Sequence, residues 1–341
     1  MSLVRRAVGA LAEEIAVLSE HVGRKVAIDQ ASVADRSAFL ALKPPGLWSA
    51  NRSCRLVCAA DGWIAVNLAR ESDHELVPAW IGARPEADPW RAITAAARTA
   101  PRGELVSMAR LLGLPVAGVG EITAVGADAP LHRRAAGSTA SRGEPLTVID
   151  LTSIWAGPLC GAVLAEAGFS VSKIESLRRP DALREASPVF FERLNGRKRL
   201  EALDLADPSQ VAALGDRIAA ADLVLTSARP RAFTQLGLSP EALFARNPGL
   251  TWVAISGYGW VGEGADRVAF GDDAAAAGGL LRWTERGEPR FLGDALADPL
   301  TGLSAAAGAL KAVARGGGFL VDAGLAPTAA GVAAQGLRSA A

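Results

Sequence analysis

Residues 146–175, LTVIDLTSIWAGPLCGAVLAEAGFSVSKIE, read as strand, glycine-bearing turn, helix and strand, and few folds admit that succession. The first segment, Leu146 to Leu151, is almost continuously apolar. That is the pattern of a strand covered by helices on both faces, as in a parallel sheet. Pro158 suits the first turn of the following helix, where a missing N–H costs nothing, and Gly168 suits its C-terminal stop. The unit is a βαβ crossover. Ligands of doubly wound sheets settle at the carboxyl ends of strands, which places the turn Thr152 to Gly157 beside a site.

The alternation continues beyond it. Strands are expected at Arg199 to Leu205, Asp222 to Thr226, Thr251 to Ser256 and Phe319 to Asp322. Helices are expected at Pro208 to Ala220, Pro240 to Arg246, Asp273 to Leu281 and Pro299 to Ala314, with a further one at the end of the chain. The fold class is α/β, a Rossmann-like parallel sheet domain with a smaller α+β domain preceding it. In that smaller part, residues 4 to 20 carry apolar positions at helical spacing (Val4, Val8, Leu11, Ile15, Leu18). CRLVCAADGWIAVNL places two β-prone runs around Asp61-Gly62, a hairpin signal. Helical patterns follow at Asp73 to Ile81, Pro89 to Arg98 and Arg102 to Leu112. The stretch 126–145, rich in Gly, Ala, Ser and Arg without a period, reads as a flexible linker. The division is therefore 1–125 for the small domain, 126–145 for the linker and 146–341 for the large domain.

Charge then limits the partners. The chain has 36 Lys plus Arg against 36 Asp plus Glu, so no global field recruits nucleic acid or an anionic membrane. Three cysteines and three histidines are too scattered for a disulfide framework or a zinc site, so no metal is expected. No apolar run reaches membrane-spanning length and no cleavable leader is evident, which suggests a cytoplasmic protein.

Several residues could carry chemistry. Gly257, Gly259 and Gly262 follow a strand and formally match GxGxxG. No helix opens after them and Ala277 stands where a ribose-binding acid belongs, so an NAD(P)-dependent oxidoreductase is an alternative and a loop beside the sheet edge is the simpler reading. Asp298 precedes Pro299 at the mouth of an apolar helix and reads as its N-cap, held ionised by N–H groups and the helix dipole, the state a carboxylate nucleophile requires. Asp272, Asp273 and Asp294 are nearby acidic alternatives to it, each read more simply as a solvated loop residue. Basic residues at Arg178 and Arg179, at Arg197, Lys198 and Arg199, and at Arg229 and Arg231 flank expected strands, where they could meet phosphates.

Residues 146–326 resemble the large domain of the class III CoA-transferases, the family that includes formyl-CoA transferase, carnitine CoA-transferase and, as a sister branch, the acyl-CoA racemases. VIDLTSIWAGPLCGAVLAEAGFSVSKIES is similar to the family's opening strand and AGP turn, and NGRKRLEALDLADP to its N-x-x-K-R-x-x-x-L-D segment. The order RPRAFTQLGLSPEALFARNPGLTWVAISGYG is similar to its RPG, LG, NP and ISG-[FY]-G succession, and LGDALADPLTGL to the segment bearing the catalytic aspartate.

The resemblance implies that Asp298 attacks an acyl-CoA thioester, giving a mixed anhydride and then an aspartyl-CoA thioester, before CoA passes to a carboxylic acid acceptor. Coenzyme A is then a co-substrate and no cofactor is bound permanently. It also implies that Asn195, Lys198 and Arg199 lie along bound CoA, Leu236 and Gly237 near its adenine, and Trp155 and Ala156 near the thioester. A homodimer is expected. A non-catalytic CoA-binding homologue or partner subunit is the other reading of the same resemblance. The racemase branch uses a histidine in the segment after the ISG-[FY]-G loop. Here that segment is VAFGDDAAAAGG, and every histidine precedes the large domain, which disfavours racemisation. Trp155 stands where a smaller or polar residue is common, so a narrowed acyl pocket is expected. The small domain, which usually follows the sheet domain, resembles residues before 125, as in a permuted chain with its terminus trimmed soon after Asp322. Interlocking of the dimer is therefore left open.

Overall fold

The computed structural model describes residues 2–84, 88–123, 128–137 and 145–338. The chain opens with helix α1 (Ser2–Val22). Strands β1 (Cys54–Ala59) and β2 (Gly62–Asn67) form the expected antiparallel hairpin. Ala59 lies opposite Gly62, so the two-residue turn is Ala60–Asp61, one position earlier than Asp61-Gly62. Helices α2 (Glu71–Ile81), α3 (Pro89–Ala97) and α4 (Arg102–Leu112) follow, and β3 (Val116–Gly118) pairs on β2. Ile64, Val66, Val77, Trp80, Ile93 and Leu105 form the core of this small unit.

The large domain is built on β4 (Leu131–Arg133), β5 (Thr147–Leu151), β6 (Ser170–Ser176), β7 (Arg199–Leu203), β8 (Leu223–Thr226), β9 (Thr251–Ser256) and, later, β12 (Phe319–Gly324). Between them run α5 (Ala156–Glu166), α6 (Leu183–Ala186), α7 (Pro188–Asn195), α8 (Pro208–Ala220), α9 (Pro230–Gln235) and α10 (Pro240–Arg246). The remainder comprises α11 (Gly271–Ala277), a small hairpin β10 (Leu281–Trp283) and β11 (Pro289–Phe291), α12 (Ala297–Ala314) and α13 (Leu325–Arg338). Helices α6, α7 and α9 and the β10–β11 hairpin are elements that periodicity did not reveal, each too short to show a clear repeat.

The strand order is β4-β12-β9-β8-β5-β6-β7, parallel throughout except for β4. From β5 the chain winds outward to β6 and β7, then returns and winds the other way through β8, β9 and β12. The order therefore reverses between β5 and β8, and the loops leaving those two strands diverge to leave a crevice.

Two parts of the expected division are drawn differently by the contacts. Residues 131–133 of the expected linker form β4 and close the sheet edge on β12; residues 124–127 and 138–144 lie outside the described residues. Helix α1, assigned to the small domain, packs on α12 of the large one. Its apolar stripe Val4, Val8, Leu11 and Ile15 belongs to the same core as Leu303, Ala307 and Leu310, and Lys311 pairs with Glu14 at 2.6 Å. The reason lies in α12, whose Ala- and Gly-rich surface is buried nearly all round and needs apolar cover on every side.

Close approach on α12 also places the site. A Cβ on Gly302 would meet the Ala156 carbonyl at 2.6 Å, so only glycine lets α12 lie this near the start of α5. The first turns of both helices thereby face one crevice.

Candidate active site

The first βα turn is held from beneath by buried ion pairs. Asp150, at the end of β5, accepts hydrogen bonds from the Thr152 N–H (2.9 Å) and from the Lys198 ammonium (2.8 Å). Lys198 also donates to the Pro158 carbonyl and to Asn195 Oδ1, both at 2.9 Å. Lys173 donates to the Thr152 carbonyl (2.6 Å) and to Asp181 (3.1 Å), and Asp181 in turn accepts the Ile154 N–H. Burial alone would raise the Asp150 carboxyl, but the Lys198 and Lys173 ammonium groups hold it below its ordinary value. Clamped in this way, Ile154 sits at φ 71, a left-handed conformation that costs free energy in a β-branched residue. Gly157 completes the turn, because a Cβ there would overlap Thr152.

This arrangement bears on part of the expected CoA surface. Lys198 and Asn195 are buried, with their polar groups bonded within the scaffold, where they support the turn from behind. Arg199 is exposed and pairs with Glu201 at 3.3 Å. Trp155 turns into the core, edge-on to Phe190 at 5.5 Å, and does not narrow the cavity. Ala156, its neighbour, does reach the crevice.

Asp298 lies there too. A cavity of about 350 Å³ is lined by Ser153, Ile154, Ala156 and Gly157 after β5, by Arg179 after β6, by Ser227 to Arg229 after β8, by Ser256 and Gly257 after β9, and by Asp298 and Leu325. Arg70 from the small unit and Arg267 close its other wall. A second cavity, of about 480 Å³, shares Ser153, Arg179, Ala228 and Ala232 with the first and extends along Arg178, Leu205, Phe233 and Leu236. Leu236 and Gly237 border a third, of about 470 Å³, beyond it. Asp298 and Ala156 are thus brought together at one end of a continuous run of hollows, with Leu236 and Gly237 at the other.

Asp298 is not the N-cap that its place before Pro299 suggests. The helix starts one residue earlier, at Ala297, and Asp298 occupies its second position, its own N–H bonded to the Ala295 carbonyl at 2.9 Å. Nor is it held ionised. Burial raises its pKa to about 7; Arg36 pulls it down, the carboxylates of Asp272 and Asp294 push it up, and the Gly271 N–H favours the charged form.

Asp272 and Asp294, expected to be solvated, are 2% and 6% exposed. Asp272 accepts from the Ala295 N–H (2.8 Å) and the Asn51 amide (3.0 Å), and Asp294 accepts from Arg36 Nε (2.7 Å) and the same amide (3.2 Å). Burial, then the Asp294 charge, pushes Asp272 up to about 7. Asp273 is also buried, in α11, where it accepts from Asn67. The participation of Arg36, Asn51 and Arg70 was missed because they come from irregular or cap positions before residue 71, which carry no periodic signal and no motif.

The GxGxxG glycines lie in the loop after β9, with no helix opening from them: the next helix begins only at Gly271. The first βα turn, where such a fingerprint would act on a dinucleotide, has the sequence TSIWAGP instead. That geometry gives the nicotinamide alternative no support. No helix among the described residues is long and apolar enough to cross a membrane.

Comparison with known proteins points one way. A family model described as CoA-transferase family III matches residues 144–339. Succinyl-CoA--D-citramalate CoA-transferase of Chloroflexus aurantiacus is 32% identical over 195 residues, 53% of this chain and 48% of that protein. Succinyl-CoA:glutarate CoA-transferase of Mus musculus is 30% identical over 195 residues, 53% and 45% of the two chains. Among solved structures, Rv3272 from M. tuberculosis superposes with a TM-score of 0.53 at 28% identity, covering 59% of this chain and 58% of that one. A CAIB/BAIF family protein from Brucella suis gives 0.52 at 28% identity, covering 58% and 57%. The chain spans about half the length of the curated relatives it matches.

Proposed function

This chain belongs to CoA-transferase family III, and on that premise we propose that it moves CoA from an acyl-CoA thioester to a carboxylic acid through a covalent intermediate on Asp298. The observation that carries the reading is that Asp298 and Ala156 line one crevice at the carboxyl ends of parallel strands, and that further hollows share its lining. A carboxylate suits the exchange: its anhydride and its thioester are both activated acyl species, so activation survives each step. In the reaction an Asp298 oxygen attacks the thioester carbon and CoA leaves as thiolate. The thiolate attacks the Asp298 carbonyl and releases the donor acid. The acceptor carboxylate then displaces CoA from Asp298, and the thiolate attacks the new acyl group to restore the free carboxylate. No net proton or electron is needed.

Leu236 and Gly237 would border the adenine end. Arg179 and Arg229, which line the nucleophile's cavity, favour an anionic acyl group. The names of the relatives, which mention succinyl-CoA, citramalate and glutarate, support a dicarboxylic donor or acceptor for this chain. We take the protein to act as a homodimer in the cytoplasm. Incubation with an acyl-CoA and hydroxylamine tests the reading: a hydroxamate at Asp298 is expected, and its absence with every CoA ester tried overturns it.

One observation favours a second reading, a partner subunit. Two relatives are named as the alpha and beta subunits of succinyl-CoA--L-malate CoA-transferase, and this chain covers less than half of each. On that reading this chain would bind CoA without itself forming the adduct.

A further inference from the structure

Arg36 comes from the irregular segment between α1 and the β1–β2 hairpin, yet it is only 7% exposed. Its guanidinium carbon lies 4.4 Å from the centre of the Trp155 ring, one residue before the Ala156 that reaches the cavity, and its Nε donates to Asp294 at 2.7 Å. From Asp294 the contacts run through the Asn51 amide to Asp272, and from Asp272 to the Ala295 N–H. Ala295 has φ 44, left-handed for a residue with a Cβ, and its carbonyl receives the Asp298 N–H. The strained turn that presents Asp298 is therefore held by a buried chain of groups that ends on Arg36.

We propose that Arg36 is a positioning residue for Asp298, the buried cation that balances Asp272 and Asp294, favours the charged form of the nucleophile and holds it in place. The inference rests on Asp298 being the nucleophile. Arg36 does not line the cavity, so it acts through the protein and not on substrate. The other charges that face Asp298 differ in this respect. Arg70, Arg179, Arg229 and Arg267 all border the cavity, and of these Arg70 and Arg267 already pair with Asp73 and Glu121. Among the described residues, Arg36 is the guanidinium that pairs directly with this acidic group, through Asp294. Without it, Asp294 loses its ion-pair partner, and the Asp272 and Asp294 charges bear on Asp298 uncompensated.

The test compares wild type with R36M and R36K. The titration of Asp298 is followed by carboxyl ¹³C NMR, assigned by the signal that D298N removes, alongside the pH profile of kcat/KM. R36M should raise the Asp298 midpoint by one pH unit or more and lower transfer at pH 7 at least tenfold, with partial recovery by pH 9; R36K should restore most of both. Should R36M fail to fold, D294N carries the test, because removing a negative charge beside Asp298 should lower the midpoint. An unmoved midpoint in either variant overturns the proposal, as does a loss of transfer equal at every pH. The expected midpoint shift in a chain that transfers no CoA upholds the positioning role and sinks the transferase reading instead. Normal transfer with a midpoint indifferent to Arg36 does the reverse.

Discussion

Gly271 stands directly against Asp298: its amide N–H favours the charged carboxylate, and a Cβ at Gly271 would overlap Asp298 Oδ2. The same Cβ would press on the Ala295 carbonyl and come within 2.8 Å of the Ala295 Cβ, so the backbone has no room to give. The start of α11 and the start of α12 can meet around Asp298 only because this position is glycine.

For G271A we therefore expect displacement of the Asp298 carboxyl. A shift of about 1 Å at a reacting group costs on the order of 100-fold in rate, and overpacking costs about 1–3 kcal/mol of stability. Kinetics and urea melts of G271A measure both. A variant with wild-type kcat would show that Asp298 is not held at this contact.

Asp298 and Asp272 give stability a definite pH dependence. Both titrate near pH about 7 in the folded chain and near about 3.9 when unfolded. Between those values the folded state keeps protons that the unfolded state has released. These two groups therefore reduce the free energy of unfolding as pH rises from about 4 to about 7, and add no further change above it. D272N and D298N should each flatten that decline, and D298N at pH 8 should melt no lower than wild type. A D298N variant that loses stability at pH 8 would point back to a capping role. Transfer by D298A should fall by several orders of magnitude under the proposed mechanism.

Asp273 and Asn67 should share a proton in the folded chain. Burial pushes the Asp273 carboxyl well up. Its Oδ1 accepts from the Asn67 amide at 2.8 Å, while its Oδ2 and Asn67 Oδ1 are both buried with no hydrogen-bond partner among the described residues. One proton on Oδ2, donated to Asn67 Oδ1, answers both. D273N can reproduce that pairing and should stay within about 1 kcal/mol of wild type, whereas D273A or N67A strands a buried group and should cost about 1–3 kcal/mol. Equal losses for D273N and D273A in urea melts would rule out the shared proton.

Helix α1 should be required by the large domain. Val4, Val8, Leu11 and Ile15 are each buried against it, and a side chain of that size contributes about 1.5–3 kcal/mol on burial. Removing four approaches the whole stability of a typical domain, about 5–15 kcal/mol. A chain lacking residues 1–22 should lose its cooperative melt or aggregate. An unchanged thermal transition would mean that α12 finds other cover.

The parallel sheet was legible because its central strands β5, β8 and β9 are mostly apolar and several of its helices begin with proline; Pro208–Ala220, Pro240–Arg246 and Thr251–Ser256 match their expected bounds. Asp298 stood out at the mouth of an apolar helix and Ala156 through the resemblance of its AGP turn; both line the crevice that strand order, implied by the alternating elements, leaves open. Local sequence could not say which polar residues are buried. Lys198 reads like a phosphate ligand until Asp150, 48 positions away, is seen to hold it, and Asp272 and Asp294 read like loop acids until Arg36 and Asn51 close over them. Those partners are distant in the chain and follow no period. Whether a charge meets solvent, a ligand or a buried counter-ion depends on what packs over it, and only the tertiary structure decides that.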